Sequence, residues 1–195
     1  MQPKIIGDAV RHKYSRVATH PGESFSFPVG RAFAESVGYP EEELERLPQS
    51  LTESFTGAHN PLLFADFSPG EVVLDLGCGA GLDMYLAAVS VGPDGFVHGL
   101  DFSSDMIEKA KRNLAGLGIR NVDFHLAPAH NIPLPDNSMD IVISNGIYNL
   151  SPEKEPIVAE IFRVLKPGGR TVISEIVLKD LPKEEAVCDL NDWFR

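Results

Sequence analysis

A chain of 195 residues with 43% apolar content can bury one sizeable core, and one domain is the default at that length. Its formal charge of -11 and isoelectric point near 4.9 argue against a nucleic-acid partner, which would meet clustered Lys and Arg on one face. No apolar run approaches the roughly 18 residues of a membrane span, and MQPKIIGDAVRHKY lacks the apolar segment of a signal peptide, so the expectation is a soluble cytoplasmic protein acting on a small molecule.

Residues 1–68 mix His, Pro, Gly and Phe (YSRVATHPGESFSFPVGR) before a short acidic helix, YPEEELERL, and a loop, TGAHNP. Short helices and loops with little sheet are expected, forming an N-terminal lid or helical segment. Tyr14, Phe25 and Phe27 suit either a lid over a site or a packed aromatic cluster. The organisation changes near Pro69, where residues 69–195 begin to alternate β-rich apolar runs with amphipathic helices. In order these are VVLDL, LDMYLAAVSV, GFVHGLD, DMIEKAKRNLAGLG, NVDFHLA, SMDIVISN, PEKEPIVAEIFRVL and GRTVISEIVL. Strands separated by helices of this length form βαβ units, hence a parallel sheet. In the second helix Met106, Ile107, Ala110, Leu114 and Leu117 recur at helical spacing, Ser103 or Ser104 can cap it, and Gly116 and Gly118 favour its end. The tail LPKEEAVCDLNDWFR reads as the start of another helix.

The stretch VVLDLGCGAGLD places Gly77, Gly79 and Gly81 between the first strand and the first long helix, where open parallel sheets bind ligands. Glycines remove Cβ atoms where backbone must turn sharply and approach a bound molecule. A dinucleotide fingerprint would require Gly or Ala at position 82, which is Leu. Asp101, ending the second strand, can accept both hydroxyls of a ribose. Asp75 inside the first strand is an unusual buried acid, read as a strand-end cap or part of the site. Cys78 and Cys188 make no metal spacing and no disulfide is expected, so no metal site is predicted.

The set D-x-G-x-G-x-G, GLD, DNSMDIVISN and LKPGG, over residues 70–178, resembles the class I S-adenosylmethionine-dependent methyltransferases. The resemblance implies an α/β, Rossmann-like parallel sheet with helices on both faces, and S-adenosylmethionine as cofactor. It implies that the glycine loop Gly77, Gly79 and Gly81 wraps the methionine part, with Asp75 also at the cofactor and Cys78 packed beneath it. Asp101 would hold the ribose, Phe102 would lie against the adenine, Ala129 and His130 beside its edge, and Asn145 near the sulfonium. Pro128 stands where many such enzymes have an acid for the adenine amine, which leaves base recognition to the Ala129 backbone. His12, His20, His59 and Tyr148 are the candidate bases for an oxygen or carbon acceptor.

Within that family, VGYPEEELERLP, GAHNP, SVGPDGFVHGLD and ISNGIYNLSPEKE are similar to the arsenite methyltransferases. Those enzymes carry one cysteine before the NP of the first loop and another after the SN that follows the fourth strand. Here the positions are Ala58 and Gly146. As(III) is thiophilic, so the expected acceptor is a different small molecule. The alternatives are arsenite methylation, a non-catalytic S-adenosylmethionine-binding domain, and a nicotinamide oxidoreductase disfavoured by Leu82. The resemblance also implies a seven-stranded sheet, whereas five strands are evident before Arg195. A sheet truncated after the fifth strand, or a homodimer across that edge, is the expectation.

Overall fold

The computed structural model describes residues 3–177 and 179. Five parallel strands, β1 (Val72–Leu76), β2 (Phe96–Asp101), β3 (Val122–Leu126), β4 (Met139–Asn145) and β5 (Leu165–Ser174), form one sheet of order β3-β2-β1-β4-β5. Helices α5 (Leu82–Val91), α6 (Ser104–Gly116) and α7 (Lys154–Val164) make the crossovers, and shorter helices α2 (Arg31–Ser36), α3 (Glu41–Glu45) and α4 (Gln49–Thr52) precede the sheet. Both faces are covered. Val73, Val97, Ile141 and Ile143 pack with Met84, Ile107 and Leu114 on one side, while Leu74, Leu76, Leu100 and Val142 pack with Ile157, Ile161 and Val164 on the other. Burial on two faces is why these strands read as nearly continuous apolar runs. The sheet is the Rossmann-like parallel arrangement with helices on both faces that the resemblance implies.

The N-terminal region differs from expectation. Residues Pro3–Thr19 form α1, a 17-residue helix, and YSRVA lies inside it. Ile6, Val10 and Val17 are buried at helical spacing, with Tyr14 between them against Phe27, so the helix lays one apolar stripe on the rest of the molecule. At the other end, β5 starts at Leu165, ahead of the expected GRTVISEIVL. Met139 pairs with Leu165 and Ile141 with Arg170, a register shift that accommodates the intervening Lys-Pro-Gly-Gly as a bulge. Among the described residues β5 is a sheet edge, with Ile176 and Val177 exposed nearby. The tail helix and Cys188 lie outside the described residues. No helix among the described residues is long and apolar enough to cross a membrane.

Ser103 caps α6, its Oγ accepting from the Met106 amide, and Met106, Ile107, Ala110 and Leu114 are buried as their spacing predicts. The buried Lys109 ammonium on the same helix donates to Glu53, Ser54 Oγ and the Ala18 carbonyl, tying α1 and α4 to α6. That fixes the N-terminal helix over the sheet ends.

Candidate functional site

Strand order reverses between β1 and β4, and beyond the C-terminal ends of these strands lies a cavity of about 190 Å³. Crossovers leave on opposite faces at such a point, so the loops part and a ligand can enter. The loop after β1 forms its floor. Gly77 and Cys78 both donate their amides to the Leu100 carbonyl, at 2.8 and 2.9 Å, which binds the loop to β2. Gly77 has φ +86°, and a Cβ there would lie 2.3 Å from Ile147 Cγ2. At Gly79 (φ +52°), by contrast, a Cβ would meet nothing within 4 Å. Gly81 caps α5 at φ +94° and abuts Leu114 and Ala110 of α6, so its small size permits helix packing.

Three buried carboxylates lie around this loop: Asp75, Asp83 and Asp101. Asp101 Oδ2 accepts from the Gly79 amide at 3.0 Å and Oδ1 from the Ser103 amide at 2.8 Å. Burial raises its pKa to about 6 despite those bonds. Burial likewise raises Asp83 to about 6, opposed by hydrogen bonds from Tyr39 and Asn145. Asp75 is pushed well above the ordinary carboxylate range by burial and then by Asp83 and Asp101, and its Oδ2 is buried without a hydrogen-bond partner among the described residues. Burial, then Asp101 and Asp75, push the Cys78 thiol up, which keeps it protonated.

Asn145, at the end of β4, is a structural hub. Its Nδ2 reaches Asp83 Oδ2 at 3.0 Å, Tyr39 Oη at 3.0 Å and the His59 carbonyl at 2.7 Å, and its Oδ1 accepts from the Ala58 amide at 2.7 Å. The loop before β1 is thereby fastened to β4, and Ala58 and Gly146 become neighbours. A Cβ on Gly146 (φ +78°) would stand 3.6 Å from the Ala58 nitrogen.

Helix α1 supplies the facing wall through Gly7, Val10, Arg11 and Tyr14. The hydroxyl of the half-buried Tyr14 bonds Thr56, and desolvation, with Asp101 and Glu175 nearby, raises its pKa far enough to keep it a phenol. The Arg11 guanidinium stands 5.8 Å from the centre of the Phe102 ring, a cation–π contact across the mouth. His130 Nδ1 pairs with Glu153 Oε2 at 2.7 Å on the rim.

Of the residues singled out from sequence, Gly77, Gly79, Asp101, Phe102, Ala129, His130 and Asn145 line the cavity. Asp75, Cys78 and Gly81 are not among its lining residues. Neither are His12, His20 and His59, all exposed, nor Tyr148, whose hydroxyl is buried. Gly7, Val10, Arg11 and Thr56 were not anticipated. The Ile6, Val10, Tyr14, Val17 spacing was the signal that a helix, and hence a wall, stood there. Tyr14 stacks on Phe27 and Phe27 on Phe25, so these aromatics pack together, with Tyr14 alone reaching the cavity.

Residues 67–194 match the family described as a methyltransferase domain. An arsenite methyltransferase of Halobacterium salinarum is 38% identical over 190 residues, which are 90% of this chain and 48% of that protein. A demethylmenaquinone methyltransferase of Lactococcus lactis is 43% identical over 114 residues, 58% of this chain and 45% of the relative. Among solved structures, an arsenic(III) S-adenosylmethionine methyltransferase from Chlamydomonas reinhardtii is similar with a TM-score of 0.55 and 33% identity, over 75% of this chain and 48% of that one. The chain spans about half the length of these curated relatives.

Proposed function

The chain belongs to the methyltransferase domain family, and from that premise we propose that it transfers the methyl group of S-adenosylmethionine to a small organic acceptor. The observation that carries the reading is the chemistry of the cavity floor. Gly79 leaves open space beside backbone, and Asp101 presents a buried carboxylate at the end of β2. Such a floor suits a cationic, ribose-bearing ligand. It suits a dinucleotide poorly, because Asp83 already places an acid in the first turn of α5, where a pyrophosphate would sit.

Asp101 would accept the ribose hydroxyls, the Gly77–Gly79 backbone would receive the methionine part, and Phe102 and Ala129 would flank the adenine. The bound cofactor would supply an electrophilic methyl on a sulfonium. The chain's own work is alignment and exclusion of water: Asn145 fixes the loop before β1, and α1 closes the cavity from the far side. Tyr14, held as a phenol, can donate a hydrogen bond to an acceptor but cannot serve as a base near neutral pH. His130, held by Glu153, would stand on the rim beside the adenine.

A second reading, arsenite methylation, draws on the Halobacterium relative. Against it, the adjacent Ala58 and Gly146 carry no thiol, and Cys78, the free cysteine among the described residues, is buried and protonated. Calorimetric titration with S-adenosylmethionine and NAD, followed by methyl-transfer assays on phenols, quinols, amines and arsenite with added thiol, tests both readings. Binding of S-adenosylmethionine alone, with transfer to an organic acceptor, is expected. Preference for NAD, or arsenite turnover matching a cysteine-complete enzyme, would overturn the proposal.

A further inference from the structure

Away from the cavity, on the face of the sheet that carries Leu100, three potential ligands converge. His98 of β2 sits opposite Asp123 of β3 in the parallel register, and His125 lies two residues further along β3, so strand alternation turns all three side chains to one face. His98 Nδ1 is 3.1 Å from His125 Nε2, and Asp123 Oδ2 is 3.7 Å from that same nitrogen. Among the described residues this is the grouping whose ligand atoms all fall within 4.8 Å of one another.

We propose that His98, Asp123 and His125 form a binding site for a divalent transition-metal ion of the Zn²⁺ class. Two ligand atoms each about 2.0–2.1 Å from a zinc ion stand roughly 3–3.5 Å apart when they subtend a near-tetrahedral angle, which is the His98–His125 spacing. Two imidazoles and a carboxylate select zinc, cobalt or nickel over magnesium or calcium, which prefer all-oxygen shells. The alternative occupant of the gap is a proton shared between the rings, which the titrations below tell apart from a metal; Asp123 Oδ1 accepts from the Phe124 amide at 2.8 Å, which leaves Oδ2 turned toward His125. Phe96 packs on the His98 ring, centroids 4.9 Å apart, and the ring is half-buried, so it is held in place before a metal arrives. Asp123 is exposed and can swing in as the third ligand. Three protein ligands leave the fourth position to water, and the ion would clamp the edge strand β3 onto β2. Absence of a Cys or His spacing motif hid the site, because its ligands come from separate strands joined only by the sheet.

The test uses untagged, chelator-treated full chain titrated with ZnCl₂ by calorimetry and with CoCl₂ by visible absorption. One equivalent of Zn²⁺ in the micromolar range and cobalt d–d bands of a four- or five-coordinate ion are expected. His98→Gln and His125→Gln should each weaken binding by more than about tenfold, the lower end of what losing even an outer-shell partner costs. Asp123→Asn should weaken it less. S-adenosylmethionine titration of each variant reports whether the fold survives, independently of the metal. Millimolar Zn²⁺ affinity in the parent chain, or unchanged affinity in a folded His98→Gln/His125→Gln variant, would overturn the assignment.

Discussion

The cavity has two walls of different construction. The sheet-side wall is backbone and buried acid: Gly77, Gly79 and Asp101 are held by hydrogen bonds to β2 and to one another, and their positions follow from where strands end. The α1 wall is side chain, made by Val10, Arg11 and Tyr14 on a helix that joins the sheet through α6 and Lys109. A wall of backbone can change only with the fold, whereas a wall of side chains can change one residue at a time. On the proposed function, the first wall would receive the constant ligand, the cofactor, and the second the variable one, the acceptor.

The harshest way to break that division is at Gly77. An alanine at φ +86° costs about 1–2 kcal/mol in backbone strain, and its Cβ would overlap Ile147, which would have to move against the cavity. Displacing the floor by an ångström should weaken S-adenosylmethionine binding and slow methyl transfer by roughly 100-fold. Calorimetry on folded Gly77→Ala protein checks this, and unchanged affinity would detach the cofactor from the sheet-side wall.

Asp101→Ala leaves the backbone in place and acts through hydrogen bonding alone. Loss of charge-assisted hydrogen bonds worth about 1.5–3 kcal/mol corresponds to roughly 10- to 150-fold in Kd. The same titration, with thermal melting to confirm the fold, tests it.

The contrast between the walls also explains what the sequence could disclose. VVLDL and LDMYLAAVSV coincide with β1 and α5, because an apolar run, a glycine turn and a helix of buried residues are each local signals. Gly77, Gly79 and Asp101 were legible for the same reason: they sit at element ends that the pattern marks. Helix α1 was obscured by a glycine and a basic segment, RHK, which mask the Ile6–Val10–Tyr14–Val17 stripe. The Asn145 hub was only half legible. Its position at the end of β4 is local, but its partners Tyr39, Asp83 and Ala58 lie 62 or more residues away. The bulge at Lys166–Gly169 depends on pairing with β4 and has no local signature beyond Pro-Gly-Gly.

Proton titration sharpens the division further. Burial raises Asp101 to about 6, so the folded chain binds its proton more tightly than the unfolded chain. The unfolded state therefore holds fewer protons between the ordinary carboxylate range and pH 6, and this group's contribution to stability falls as pH rises through that window, then levels off. Asp83, also about 6, acts in the same direction. Glu71, Asp140 and Glu160, lowered by Arg170, Lys166 and Arg163, act in the opposite direction. The useful measurement is thus a difference: melting of Asp101→Asn minus the parent chain from pH 4 to 8 should favour the variant increasingly up to pH 6 and no further. Cofactor affinity should show the reverse benefit, strengthening about tenfold from pH 5 to pH 7 as Asp101 ionises in the parent chain. A flat affinity profile would remove the carboxylate from the cofactor contact.

The smallest expected effect lies on the α1 wall. Gly7 sits in the helix interior and faces the cavity, and a Cβ there would meet nothing within 4 Å. Glycine in a helix costs about 0.5–1 kcal/mol relative to alanine, chiefly through the freedom it retains when unfolded, so Gly7→Ala should stabilise the chain by that amount. For a domain of this size the melting temperature should rise by about 2–4 °C per kcal/mol. If the walls divide as argued, cofactor affinity stays at the parent value while the acceptor's KM shifts, because a methyl has been added only to the side facing the acceptor. A stabilised Gly7→Ala chain that loses S-adenosylmethionine affinity would mean that α1 touches the cofactor, and the two walls would then act on one ligand together.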